Sequence, residues 1–299
     1  MRRWLLLPVL ALAVGCSTTP DPGPTVLAAP VIALPAPAEQ DTAAPLPPAT
    51  TAPRPSDRPR PTPSGPAPTA SAVVGAVRGV DRAAEVGLLV LDRETGTEVV
   101  SALPDRRFRS ASLVKLLIAV DVLEAGADTA TRKQVARMLR LSDDDIASAL
   151  WVRRGGAALV TRAARAMGLR DTRPPAIPGR WGDVLLTARD VAGVYTHVLE
   201  ALPAADRALV VDALAAAPRS AADGFDQHFG IPDGLSAPWA VKQGWSDSTR
   251  DIVVHSTGLV GAGWRYVVVL LTEHPLRTAW STAAKSVTAG ARTLDAVLR

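Results

Sequence analysis

The chain of 299 residues contains one cysteine, Cys16, and no asparagine. A single thiol excludes an internal disulfide and a thiolate metal site. The four histidines, His197, His228, His255 and His274, are dispersed without metal-ligand spacing, so no metal is expected. Neither a phosphate-binding loop nor a GxSxG pattern occurs, and no cofactor is expected. Aromatics make up 4% of the residues and do not alternate with basic ones. The net charge of +4 comes mostly from arginines spread along the chain, which argues against a nucleic-acid partner. Lysine is scarce, with only Lys115, Lys133, Lys242 and Lys285.

What is abundant sits at the start. Residues 1–15 have a basic beginning (Arg2, Arg3), an apolar stretch and small residues before Cys16, the organisation of an export signal too short to span a membrane. The ending AVGC is similar to the lipobox of bacterial lipoproteins, with Ala13 where leucine is more usual. That resemblance implies a lipidated Cys16, a membrane anchor and export to the outer face of the plasma membrane. Sixteen of the 26 prolines then fall between residues 17 and 70, among Ala, Thr and Ser. Such a segment cannot bury enough apolar surface to offset its chain entropy, so residues 16–70 are expected to form an extended tether. The folded domain is placed at 71–299, and a monomer is expected.

Within that domain, 85–92 (EVGLLVLD) reads as a buried strand, 93–97 as a turn and 98–103 as the returning strand. Segments 131–141, 143–153, 157–167 and 188–202 carry helical periodicity and are separated by Gly, Pro or Ser-Asp caps. Three β-rich runs come next at 239–245, 251–259 and 265–272, and 278–298 reads as a final amphipathic helix. Strands at both ends with helices between predict an α+β fold, one sheet built from both termini with a helical region inserted.

The segment 108–122 (FRSASLVKLLIAVDV) stands apart, because almost every position after Ser112 is apolar except Lys115. A helix buried all round belongs in the middle of a domain. A lysine there pays desolvation unless its amine is paired or loses its proton. With Ser112 one turn earlier at the helix start, serine and amine share a face, a workable nucleophile and base.

Two further stretches join this pair. SLVK at 112–115, SDD at 142–144 and KQG at 242–244 occur in that order. They resemble the serine-x-x-lysine, serine-aspartate-asparagine and lysine-threonine-glycine motifs of class A β-lactamases and penicillin-binding proteins. The resemblance runs from about Val86 to the C-terminus. Segment 146–156 (IASALWVRRGG) is similar to the family's stretch after the second motif, and 185–192 (LLTARDVA) to its TTA-x-D-L-A helix start. It implies a five-stranded antiparallel sheet against a helical region, with the site between them. It also implies Ser112 as nucleophile, Lys115 as general base and Ser142, at a helix N-cap, as proton carrier to the leaving nitrogen. Asp144, Lys242, Gly244 and Trp245 would line the substrate, a β-lactam or a D-Ala-D-Ala-like peptidoglycan stem peptide. The backbone N–H groups of Ser112 and Trp245 would form the oxyanion hole.

Three departures bear on activity. Asp144 replaces asparagine, so it cannot donate to a substrate carbonyl and it favours the charged form of Lys115. Gln243 replaces threonine and removes a hydroxyl that would help hold a carboxylate. No glutamate occurs between Glu124 and Glu200 to activate a deacylating water, and the loop 173–183 offers only Asp183. The resemblance therefore implies an acyl-enzyme-forming serine hydrolase with weak or absent deacylation. The alternative is a catalytically silent binding lipoprotein on the same fold.

Overall fold

The computed structural model describes residues 69–298. The export signal, Cys16 and nearly all of the tether lie outside the described residues. Thr69 caps the first helix, α1 (Ala70–Val80), by accepting the N–H of Ala72 at its hydroxyl. β1 (Glu85–Asp92) and β2 (Thr97–Ala102) form the expected hairpin. A short strand β3 (Phe108–Arg109) leads through a 3-10 turn, Ala111–Leu113, into α2 (Val114–Glu124). Helices α3 (Thr129–Leu141), α4 (Asp144–Arg153) and α5 (Ala157–Ala166) succeed it. Then come strand β4 (Leu185–Leu186), paired with β3, and helices α6 (Ala188–Glu200), α7 (Ala204–Ala215) and the one-turn α8 (Ile231–Gly234). The chain closes with β5 (Trp239–Asp247), β6 (Asp251–Val260), β7 (Tyr266–Pro275), α9 (Trp280–Arg292) and a last turn, α10 (Asp295–Leu298).

The main sheet is antiparallel in the order β2-β1-β7-β6-β5, so β1 from the start of the domain pairs with β7 from its end. The central strands β1 and β7 are apolar almost throughout because both of their faces are covered. In β7, Val267, Val269 and Leu271 face one core with α2 and α6, while Val268 and Leu270 face the other with α1 and α9. This is the period-2 alternation of a strand buried on both sides. α2 lies in the first core and is buried from Val114 to Leu123.

Four details differ from the sequence reading. The α-helix begins at Val114 rather than at Ser112, which occupies the preceding 3-10 turn. Ser142 is the left-handed C-cap of α3, with φ of 54°, and Asp143 takes the N-cap of α4 by accepting the N–H of Ile146. Either an Asp or a Ser can cap, and here the acidic side chain is the one that reaches the N–H. Helix α7 has no counterpart in the sequence reading, because its run AADRALVVDALA has weak periodicity and buries even Asp206, which pairs with Arg132. The final helix breaks at Thr293.

Candidate active site

Edge strand β5 and the turn holding Ser112 meet at close range. A Cβ on Gly244 would come within 3.0 Å of the Ser110 carbonyl oxygen and 3.3 Å of the Leu113 and His255 side chains, so glycine is what lets the strand approach. Ala111, directly before Ser112, has φ of 45°. With Ser142 it places two non-glycine residues in the left-handed region around one cluster, a strain of roughly 1 kcal/mol or more each.

Lys115 is the centre of that cluster and is fully buried. Its Nζ lies 2.9 Å from Ser112 Oγ, 2.6 Å from the Ser142 carbonyl oxygen, 3.1 Å from Ser142 Oγ and 2.5 Å from Asp144 Oδ1. Four oxygens exceed the three hydrogen-bonding directions of an amine in either protonation state, and in the neutral form one of the three is a lone pair that accepts the hydroxyl proton of Ser112. Burial pushes the Lys115 pKa down, and Asp144 is the main group pushing back. Lys242 is also buried, with Nζ 2.9 Å from both Ser142 Oγ and the Gln243 carbonyl. Desolvation, and after it the like charge of Lys115, lowers its pKa well below the ordinary value. Ser142 Oγ thus faces two amines, which leaves its own O–H available to a third partner.

The structure therefore brings Ser112, Lys115, Ser142, Asp144, Lys242, Gly244 and Trp245 together. A cleft of about 360 Å³ opens over them, lined by Ser112, Asp144 and Trp245 and walled by Trp181 and Trp280. Gln243 turns away, donating its amide to the carbonyls of Gln227 and Phe229, so it staples β5 to the preceding loop. Asp183 reaches the cleft rim, where one oxygen forms an ion pair with Arg180 Nε at 2.6 Å and the other faces Arg109 at 3.6 Å. Sequence reasoning missed Trp181, Trp280 and Asp223. The last accepts the Trp245 indole N–H at 3.0 Å. Tryptophan in so aromatic-poor a chain was the one signal that could have found the first two.

Beneath the site, His255 accepts the backbone N–H of Thr272 at Nδ1 (3.2 Å), so its proton sits on Nε2 and is donated to the Arg109 carbonyl at 2.7 Å. Burial pushes its pKa down to about 4. Because the unfolded imidazole titrates near 6.5, the unfolded chain binds the extra proton first, and stability falls as pH drops from about 6.5 to about 4. Acting alone, His255 would cost roughly 3 kcal/mol across that window. Urea unfolding of His255→Gln should show a shallower slope there, and an unchanged slope would refute the assignment.

No family model matches the chain. It is 37% identical over 250 residues to "Putative lipoprotein LppW" of Mycobacterium tuberculosis, covering 76% of this chain and 78% of that protein, with the same figures for Mycobacterium bovis. Among solved structures, a mutant of PBP-A described as an acyl-enzyme complex with penicillin G has a TM-score of 0.60 at 19% identity, covering 77% of this chain and 97% of that one. A class A β-lactamase from Bacteroides cellulosilyticus has a TM-score of 0.62 at 13% identity, covering 76% and 97%. At such identities the likeness is one of fold, and the fold is β-lactamase-like.

Proposed function

Because the chain belongs to the LppW family, we propose that it is a lipid-anchored envelope protein whose Ser112 is acylated by β-lactams or by D-Ala-D-Ala-like stem peptides. The carrying observation is the contact of Ser112 Oγ with buried Lys115, whose amine burial biases toward the neutral form. In this reading Ser112 attacks the amide carbonyl while its proton passes to Lys115. The C–N bond then breaks as Ser142, held between Lys115 and Lys242, delivers a proton to the leaving nitrogen. The backbone N–H groups of Ser112 and Trp245 stabilise the oxyanion.

Intact-mass measurement after incubation with a penicillin should show one adduct, mapped to Ser112 and absent from Ser112→Ala. Labelling that survives in that variant, or maps to Ser110, would sink the proposal. For the anchor, Cys16→Ala should move the protein from the membrane fraction to the soluble one. Equal partitioning of parent and variant would argue against lipidation.

One contact favours a second reading. Asp144 holds Lys115 at 2.5 Å, an ion pair that opposes loss of the lysine proton. If neither the parent nor Asp144→Asn forms an adduct, the chain is a non-catalytic binding lipoprotein that keeps the cleft.

A further inference from the structure

A second cavity, of about 670 Å³, opens behind the catalytic cleft, between the face of α9 that carries Trp280, Ala284 and Ala289 and the segment around Phe225 and Phe229. Its size falls within the roughly 300–1,000 Å³ of small-molecule sites. Two of the large apolar side chains left exposed on the described surface, Val80 at 43% and Trp280 at 37%, lie on its wall. The charges around it are unequal in availability. Asp226 and Asp233 both pair with Arg219, at 2.9 and 3.0 Å. Lys285 and Arg292, two turns apart on α9, line the same cavity and have no ion-pair partner among the described residues. The cavity thus offers an apolar floor and two unengaged cations on one helix face, a match for a ligand with an apolar chain and an anionic head.

The wall is shared with the cleft. Trp280 lines both spaces. Phe225 stacks on Trp245 with centroids 4.6 Å apart and meets Trp280 edge-on at 5.8 Å. A ligand seated against Phe225 and Trp280 therefore bears on the stack that holds the Trp245 ring.

We propose that this cavity binds a long-chain carboxylate, its chain against Phe225, Phe229 and Trp280 and its head between Lys285 and Arg292, and that occupancy is transmitted to Trp245. This goes beyond the reading given for Ser112 and does not depend on chemistry there. The test uses the unlipidated full chain (Cys16→Ser), so that its own acyl groups do not compete. Palmitate should displace a fluorescent fatty-acid probe saturably at one per chain, at least tenfold more tightly than hexadecanol or hexadecyltrimethylammonium. Ala289→Trp, which fills the space, should abolish binding. Lys285→Glu with Arg292→Glu should weaken palmitate at least tenfold while leaving hexadecanol unchanged and the thermal midpoint near that of the parent. In proton NMR, palmitate should shift the indole N–H signals of Trp245 and Trp280 but not that of core Trp151. Absence of saturable binding, equal affinity for acid and alcohol, or binding that survives Ala289→Trp would overturn the site. Indole shifts that spare Trp245 would overturn the transmission.

Discussion

Lys115→Met should slow acylation of Ser112 by about 100- to 10,000-fold, the usual loss when a positioned general base is removed. Methionine keeps the length and the apolar packing of the lysine stem in α2, where the neighbours from Val114 to Leu123 are all buried. The fold should therefore survive while the base disappears. Asp144→Asn should act in the opposite direction. Burial holds the Lys115 pKa below the ordinary lysine value, and Asp144 is the largest influence raising it again, ahead of Asp223 and Asp143. Removing the Asp144 charge lowers that pKa further, so the rising limb of the acylation rate against pH should move toward lower pH. While pH remains below the pKa, each unit of that movement gives about ten times more neutral amine at a given pH. Stopped-flow acylation by a reporter β-lactam across pH 5 to 10 measures both effects. A limb that stays put in Asp144→Asn would mean that Lys115 is not the titrating base.

The parts of this site that could be read from the chain are those where one residue type conflicts with its neighbours. Lys115 in an apolar helix is such a conflict, and so is Lys242 in a β-rich run. Order and spacing then join them to Ser112 and Ser142. Likewise β1 and β7 declare themselves as apolar runs because both faces of the sheet are covered. The illegible features depend on where the backbone turns. Ser142 reaches both amines from a left-handed C-cap, a conformation whose sequence signal is normally glycine or asparagine, and this chain has no asparagine. Gln243 in the place of threonine reads as a weakened carboxylate binder, yet the strand's alternation points it at Gln227 and Phe229, away from Lys242. Asp223 and Trp280 come to the cleft from segments more than fifty residues apart, and nothing local in either announces it.

Once formed, the acyl-enzyme is expected to persist for hours, with hydrolysis of a chromogenic cephalosporin near the uncatalysed rate, because each carboxylate that lines the cleft is occupied or displaced. Asp144 is committed to Lys115 at 2.5 Å. Asp183 is paired with Arg180 through one oxygen and faces Arg109 with the other, and Arg109 is itself fixed by Asp251 at 2.5 Å, so each of its oxygens already faces a guanidinium. Asp223 accepts the Trp245 indole and the Phe225 backbone N–H. Asp247 lies three residues beyond Gly244 on β5, about 10 Å along the strand from the nucleophile turn. A missing general base costs about 100- to 10,000-fold in rate, enough to turn a hydrolase into a trap. Asp183→Ala should accordingly leave the adduct lifetime unchanged, whereas Arg180→Ala, which frees one carboxylate oxygen of Asp183, should shorten it. Intact-mass spectra taken at intervals after removal of free ligand give the lifetimes. Rapid turnover by the parent that is lost in Asp183→Ala would show that Asp183 activates water in spite of its two arginines, and would make the protein a working β-lactamase.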